Sequence, residues 1–349
     1  MRLFLIRHGE TVDNVAHVYA GSRDSGLTNH GHQQATRLGL HFKCLGLSFT
    51  HIFSSHLQRA FKTASLIREA QLPALNDLGP SSTIPEIVQL PILMEQDFGF
   101  YEGKKWYERI ADSKLTGKEQ HREEQDTSGF VDIESKDSMA QRMDTFLDMH
   151  LLPLFDSSTN PNSHVVAIVS HGIILSILWK RLLLRLPPKS VAFSLESLAN
   201  TRGFSLEHLG GWSNTGYLEL HMQKTATQAS SPTQRPNSGT PALKSASESS
   251  KNDAAGTKGE IVDLDAEKVT VGDGLIGEQQ VMDVDAKSTQ SAFRSSPTKL
   301  TYEWTTIIQT VNGRDHLKGL KRTGGGVGSA RHDTSQKCID NFFKRRKIE

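Results

Sequence analysis

The chain is poor in the features that assign a protein at first sight. Only two cysteines occur, Cys44 and Cys338, far apart and outside any metal-ligand spacing. A disulfide framework is therefore not expected, and a reducing compartment is. No apolar run approaches the length of a membrane span, and the first residues enter a strand-like run instead of a signal-peptide pattern. An excess of one charge is also missing: 40 basic and 39 acidic residues nominate no partner for the chain as a whole. A soluble intracellular protein is the expectation, with no direct reading of nucleic acid.

Aromatic residues are scarce, at 7%, and the scarcity is local. From Gln223 to Lys299 the chain holds 19 Ser or Thr in 77 residues and a single aromatic, Phe293. Such a stretch buries too little apolar surface to offset its ordering entropy, so disorder is expected there. Its flanks read differently. "NTGYLELHM" precedes it, and "KLTYEWTTIIQTV" follows it with Tyr302, Trp304, Thr306 and Ile308 alternating as in a half-buried strand. One antiparallel pair with a swollen connection accounts for both. Loop closure makes such a swelling cheap, at about 0.6 kcal/mol per doubling of length. The domain is thus expected over 1–222 and 300–320, with an insertion at 223–299 and a basic tail at 321–349.

What is present begins with "MRLFLIRHGETVDN". Leu3–Ile6 is a continuous apolar run, which suits a strand buried on both faces. Arg7 and His8 follow at once, at the strand end where open α/β sheets bind ligands. Two later segments repeat the order of strand, polar turn and helix. In "FTHIFSSHLQRAFKTASLIREA", Ser54 and Ser55 suit a helix start, with Arg59 and Thr63 one turn apart beyond it. In "SHVVAIVSHGIILSILWKRLLLRL", a strand at Val165–Val169 runs into Ser170-His171-Gly172 and then a helix over Ile173–Leu186. If the three strands are parallel neighbours, Arg7, His8, Arg59 and His171 meet at one rim of the sheet. Two arginines and two histidines beside helix N-termini describe a phosphate site.

Four blocks in this order, "IRHGETVDN", "SSHLQRAFKTA", "LMEQDFGFYEGK" and "VSHGI", resemble the signature of the histidine phosphatase superfamily, which includes phosphoglycerate mutases and broad phosphomonoesterases. "DSGLTNHGHQQA" resembles a further block, and "WTTIIQTVNGRDHL" the closing strand. The resemblance implies an α/β three-layer sandwich, a mostly parallel sheet flanked by helices, with a cap inserted at about 97–163. It implies His8 as nucleophile, with Arg7, Asn14, Arg59, His171 and Gly172 around the phosphoryl group. His171 is also expected to take part in catalysis. Glu95 stands where the family carries its general acid, with Asp97 and Glu102 as neighbouring alternatives. No cofactor and no metal are implied, since guanidinium and imidazole groups supply the positive charge. The substrate would be a phosphorylated small molecule or another phosphomonoester. Hydrolase is the first reading, a mutase the second and a binding module on the same fold the third. The 76-position separation of Glu95 from His171 favours hydrolase, because mutase-like chains bring a longer cap.

The cap carries Phe98, Phe100, Tyr101, Trp106 and Tyr107, suited either to an apolar leaving group or to packing the cap onto the sheet. "ESKDSMAQRMDTFLDMHLLPLF" reads as an amphipathic helix leading back to the sheet. In the tail, "KRTGGGVGSARHD" lacks the ending of a P-loop and reads as a flexible linker. Beyond it, Gln336, Ile339, Phe342 and Phe343 in "SQKCIDNFFKRRKIE" match the spacing of peptides that dock on the DNA sliding clamp (PCNA). The alternative is a helix folded back on the domain. Lys344–Lys347 resembles a short nuclear localisation signal, so nucleus and cytoplasm are both expected locations.

Overall fold

Every residue of the opening apolar run is fully buried, and the two faces of its strand explain why. The computed structural model describes residues 1–72, 84–106, 129–155, 163–200, 205–224, 299–300 and 304–333. Its elements are β1 (Arg2–Arg7), α1 (Val12–Ala16), α2 (Asn29–Cys44), β2 (His51–Ser55), α3 (Gln58–Gln71) and β3 (Ile87–Leu90). They continue with α4 (Lys136–Phe146), β4 (Val165–Ser170), α5 (Gly172–Arg185), β5 (Val191–Phe193), α6 (Leu195–Asn200), β6 (Tyr217–Lys224) and β7 (Trp304–Gly313). Leu3 and Leu5 of β1 join Val166 and Ile168 of β4 under α4 and α5, where Met143, Phe146, Leu175, Leu178 and Trp179 pack. Phe4 and Ile6 join Ala167 and Val169 on the opposite face, against Leu38, Phe42, Ala60, Ala64 and Ile67 of α2 and α3. Burying each such side chain stabilises the fold by about 1.5–3 kcal/mol. Helices cover both faces, and the expected three-layer α/β sandwich is present.

The sheet has seven strands in the order β3-β2-β4-β1-β6-β7-β5. β2 and β1 both pair parallel with β4, so the three site-bearing strands are adjacent and end on the same rim. β6 is antiparallel to both β1 and β7, and it alone runs against the other strands. The β6–β7 pair is the antiparallel pair read in the sequence, closing with Lys224 opposite Trp304. Gln223 and Lys224 therefore belong to the sheet, two residues beyond the expected boundary. Leu300 packs on the core, and its N–H donates to the Arg185 carbonyl at 2.9 Å. The chain divides into a unit of Met1–Thr227 with Ser296–Glu349 and a unit of Gln228–Ser295, and every described residue belongs to the first. The 225–298 part of the expected disordered insertion lies outside the described residues, as do Tyr107, Tyr302, Gln336, Ile339, Phe342, Phe343 and Lys344–Lys347.

Local chemistry fixes the helix starts with one departure from expectation. Thr28 caps α2 by accepting from the Gly31 N–H, and Ser135 caps α4 by accepting from Ser138. α3 begins after Leu57 without a side-chain cap, so Ser54 and Ser55 remain strand residues. Helix α4 passes into a π turn at Leu147–Leu151, whose Leu147 and Leu151 continue the buried face.

The tail corrects the sequence reading. Residues 321–333 are not a free linker: they pack beside the turn that follows β1. Arg322 makes a forked ion pair with Glu10, one arm of which runs from Nη1 to Oε1 at 2.8 Å. The Asn29 N–H donates to Ala330 O and the His332 N–H to Leu27 O, each at 2.9 Å. The His332 ring stacks on His32 with centroids 3.7 Å apart. The glycine run serves this path, because Gly325 and Gly326 turn the chain at φ 66° and 78°, where a side chain would be strained. A chain ended at Leu320 should melt lower than one ended at Asp333, by about 2–4 °C for each 1 kcal/mol lost. Equal melting in a thermal scan of the two would show that these contacts add nothing.

Candidate active site

The rim of β1, β4 and β2 opens into a cavity of about 520 Å³. Arg7, His8, Asn14, Arg59, Glu95 and Gly172 all line it. His171 is fully buried, with its ring centroid 5.0 Å from that of His8 in a T-shaped arrangement. Strand ends place these residues. The backbone N–H of His8 donates to Ser170 O at 3.0 Å, which fixes the turn after β1 against the end of β4. Gly9 is required there, since a Cβ would lie 2.6 Å from the Gly31 carbonyl oxygen.

Donor and acceptor logic sets the two tautomers. His8 Nδ1 lies 2.7 Å from the Gly9 carbonyl, which only accepts, so Nδ1 carries the proton and Nε2 holds a bare lone pair. His171 Nδ1 lies 3.1 Å from Arg59 Nε, which only donates, so the proton of His171 is on Nε2. That Nε2–H is buried without a hydrogen-bond partner, and so is the Nε–H of Arg7. Orphaned buried donors beside a bare imidazole nitrogen call for an anion. Burial, and after it the charges of Arg59 and Arg7, hold the His8 imidazole well below its usual pKa of 6.5, while the Gly9 carbonyl opposes the shift. His171 is lowered by the same causes, burial first. Burial also lowers both guanidinium groups, opposed by the charge of Glu95.

The two arginines differ in their freedom. Arg59 donates to the carbonyls of Arg23, Ala20 and Gly21 at 2.8, 3.0 and 2.8 Å, so much of its fork is spent on the loop above it. Arg7 has one such bond, from Nη1 to Trp212 O at 2.6 Å, and keeps more of its fork for a ligand. Asn14 Oδ1 accepts from the Thr11 N–H and from Asn214 Nδ2, which leaves its own Nδ2 as a donor. Glu95 rests on the start of α5, with Oε2 accepting from Ile173 N at 3.1 Å and Oε1 from Ile174 N at 3.0 Å. Gly172, the first residue of that helix, faces the cavity. Oε1 also accepts from Gln96 N, so Oε2 is the oxygen with room for a proton.

Of the three carboxylates weighed in the sequence, only Glu95 lines the cavity. Glu102 instead accepts from the backbone N–H groups of Gly21, Ser22, Arg23 and Phe98 at 2.9–3.4 Å, holding the loop that receives Arg59. Asp97 accepts from Gly99 N at 2.8 Å. Sequence reasoning missed other supports of the site. Thr63 accepts from Gly9 N at 3.0 Å. Trp212 lines the cavity and donates to Ser176 at 2.9 Å. Arg142 of α4 donates to the carbonyls of Ile92, Met94 and Glu95, supporting the segment that carries Glu95. Only Thr63 had a signal, its one-turn spacing from Arg59.

A sheet rim that gathers two arginines and two buried histidines around a cavity has the chemistry to hold a phosphoryl-like anion. The chain belongs to the histidine phosphatase superfamily (branch 1), whose profile it matches over residues 3–211. It is 33% identical over 188 residues to a probable phosphoglycerate mutase of Erwinia tasmaniensis, a match covering 51% of this chain and 73% of that protein. It is 40% identical over 103 residues to a fructose-2,6-bisphosphatase of Danio rerio, covering 29% of this chain and only 36% of that enzyme. Among solved structures, a mycobacterial glucosyl-3-phosphoglycerate phosphatase aligns with 26% identity and a TM-score of 0.44, over 63% of this chain and 89% of that one. Phosphatases and mutases both stand among the relatives.

Proposed function

We propose that the protein hydrolyses phosphomonoesters through a phosphohistidine on His8. The observation that carries the reading is the bare Nε2 of His8 beside the orphaned donors of Arg7 and His171. Nε2 attacks phosphorus, and the P–O bond to the leaving group breaks as that oxygen takes a proton from Glu95. Water then attacks phosphorus, Glu95 takes a proton from it, and the N–P electron pair returns to Nε2. Arg7, Arg59, His171 and the Asn14 amide hold the non-bridging oxygens, with the start of α5 adding its dipole. No step calls for a metal ion, so turnover is expected to survive a chelator. Hydrolysis is favoured over mutase transfer because, among the described residues, the cavity offers no cation beyond Arg7 and Arg59 for a second anionic group.

Quenching the enzyme in mid-turnover on a 32P-labelled aryl phosphate should trap an acid-labile, alkali-stable phosphoenzyme on His8. Efficient interconversion of phosphoglycerates without phosphate release would reverse the order of the two readings. Glu95→Gln gives a separate check on the acid. It should slow an alkyl phosphate by about 100-fold or more but an aryl phosphate by less than about tenfold, because an aryl oxide leaves without protonation. Equal losses on both would remove Glu95 from that role.

The tail extends this reading to a partner. Residues 336–343 tether the enzyme to the DNA sliding clamp in the nucleus, a proposal supported by the spacing of Gln336, Ile339, Phe342 and Phe343 and the basic residues after them. Calorimetry of a 334–349 peptide with purified clamp should give micromolar binding that Phe342→Ala with Phe343→Ala abolishes. No heat at high micromolar clamp would remove the partner and leave the catalytic reading intact.

A further inference from the structure

Beyond the phosphate cradle the cavity changes character. The rest of its described wall includes Val18, Tyr19, Phe98, Trp106, Ile177 and Trp212, the last reaching the phosphate end, where its carbonyl accepts from Arg7. Trp106 keeps 48% of its surface exposed, and its ring meets that of His17 edge-on with centroids 5.3 Å apart. A carboxylate also stands among the described residues of this wall. Asp13 of α1 lines the cavity and is only 8% exposed, yet its Oδ2 has no hydrogen-bond donor. Arg23 Nε lies 3.6 Å from that oxygen, within ion-pair range but beyond a hydrogen bond. Among the described lining residues there is no lysine, and the only arginines are the two at the phosphate end. The acidic lining groups are Asp13 and Glu95.

On the basis of the hydrolase reading, we infer that the substrates are monoesters of uncharged, largely apolar alcohols or phenols, and that Asp13 sets this preference. The aromatic wall stacks on a flat or apolar leaving group, while Asp13 Oδ2 accepts a hydrogen bond from a neutral donor such as a hydroxyl. A carboxylate or second phosphate on the leaving group meets the Asp13 charge where, among the described lining residues, the cations are Arg7 and Arg59 at the phosphate end, and the nearby Arg23 is already in ion-pair range of Asp13. Like-charge juxtaposition there rejects the wrong partner. The same carboxylate thus selects in two ways, by attraction of a donor and by exclusion of an anion.

Three probes of similar leaving-group reactivity test this: phenyl phosphate, meta-(hydroxymethyl)phenyl phosphate and meta-carboxyphenyl phosphate. The hydroxymethyl ester should exceed the carboxylate ester in kcat/KM by about tenfold or more, and Asp13→Asn should shrink that ratio by about fivefold or more. The ratio is an internal control, since a general loss of folding or catalysis moves both substrates together. Equal kcat/KM for the two esters in the wild type would overturn the inference. A ratio untouched by Asp13→Asn would overturn the role of Asp13. If none of the three is hydrolysed while phosphoramidate still forms the His8 phosphoenzyme, the substrate class is wrong and the hydrolase chemistry stands. If no phosphoenzyme forms from any donor, the hydrolase reading fails and takes this inference with it.

Discussion

His8→Ala is expected to lower kcat/KM by at least about four orders of magnitude and to abolish the trapped phosphoenzyme, because the group proposed to form the covalent bond is removed outright. The fold should survive the change. His8 holds its place through backbone bonds, its N–H to Ser170 O and its carbonyl to Thr215 N, and alanine keeps both. Thermal unfolding and circular dichroism check this before activity is compared. A folded His8→Ala protein with a tenth of the normal rate would exclude the phosphohistidine route. The pH profile offers a second reading of the same residue. Burial and the two arginines keep His8 neutral well below pH 6.5, so the acid limb of kcat/KM that reports the nucleophile should lie well under that value.

Stability should follow pH in a related way. His8, His171 and His316 are all lowered in the folded protein, His316 to about 4, chiefly by burial. Below pH 6.5 the unfolded chain takes up protons at these positions before the folded chain does. The unfolded state then binds more protons, so stability rises with pH through this window and is lost as pH falls below 6.5.

The site was legible in the sequence where its residues sit at strand ends in short, dense blocks. Arg7 and His8 follow a run whose four apolar residues face two cores, and Ser170-His171-Gly172 repeats the same grammar. Period and burial set those positions locally. What was missed depends on contacts distant in sequence. Glu102 looked like any loop carboxylate until the fold placed four backbone N–H groups around it. Residues 321–333 read as a linker because glycine and lysine dominate the text. Their partners Glu10, Asn29 and His32 lie about 300 positions earlier, where no periodicity announces them. Asn214, whose amide donates to Asn14, was hidden for the same reason. The start of α3 was misread because Ser54 and Ser55 have cap chemistry yet lie inside a buried strand.

The largest effect on stability should come from β7. A chain stopped at Met222 is expected not to fold cooperatively. It loses Trp304 and Ile308, exposed by only 2% and 0%, along with the whole antiparallel partner of β6 and the parallel partner of β5. Losing a buried tryptophan and a buried isoleucine removes about 5–10 kcal/mol, comparable to the entire stability of a domain. The connection before β7 should behave in the opposite sense. Lys224 faces Trp304 across the ladder, so the chain leaves and re-enters the sheet at one point. Replacing residues 226–297 with Asn-Gly, while keeping Leu300 for its bond to Arg185, shortens the loop about ninefold and should raise stability by up to about 2 kcal/mol. Melting temperature and turnover of the two variants, measured beside the full chain, decide the matter. A folded, active 1–222 fragment would place β7 outside the core. Loss of folding in the shortened chain would make the intervening residues part of the domain, and the sheet would then need more than the β6–β7 register to hold its edge.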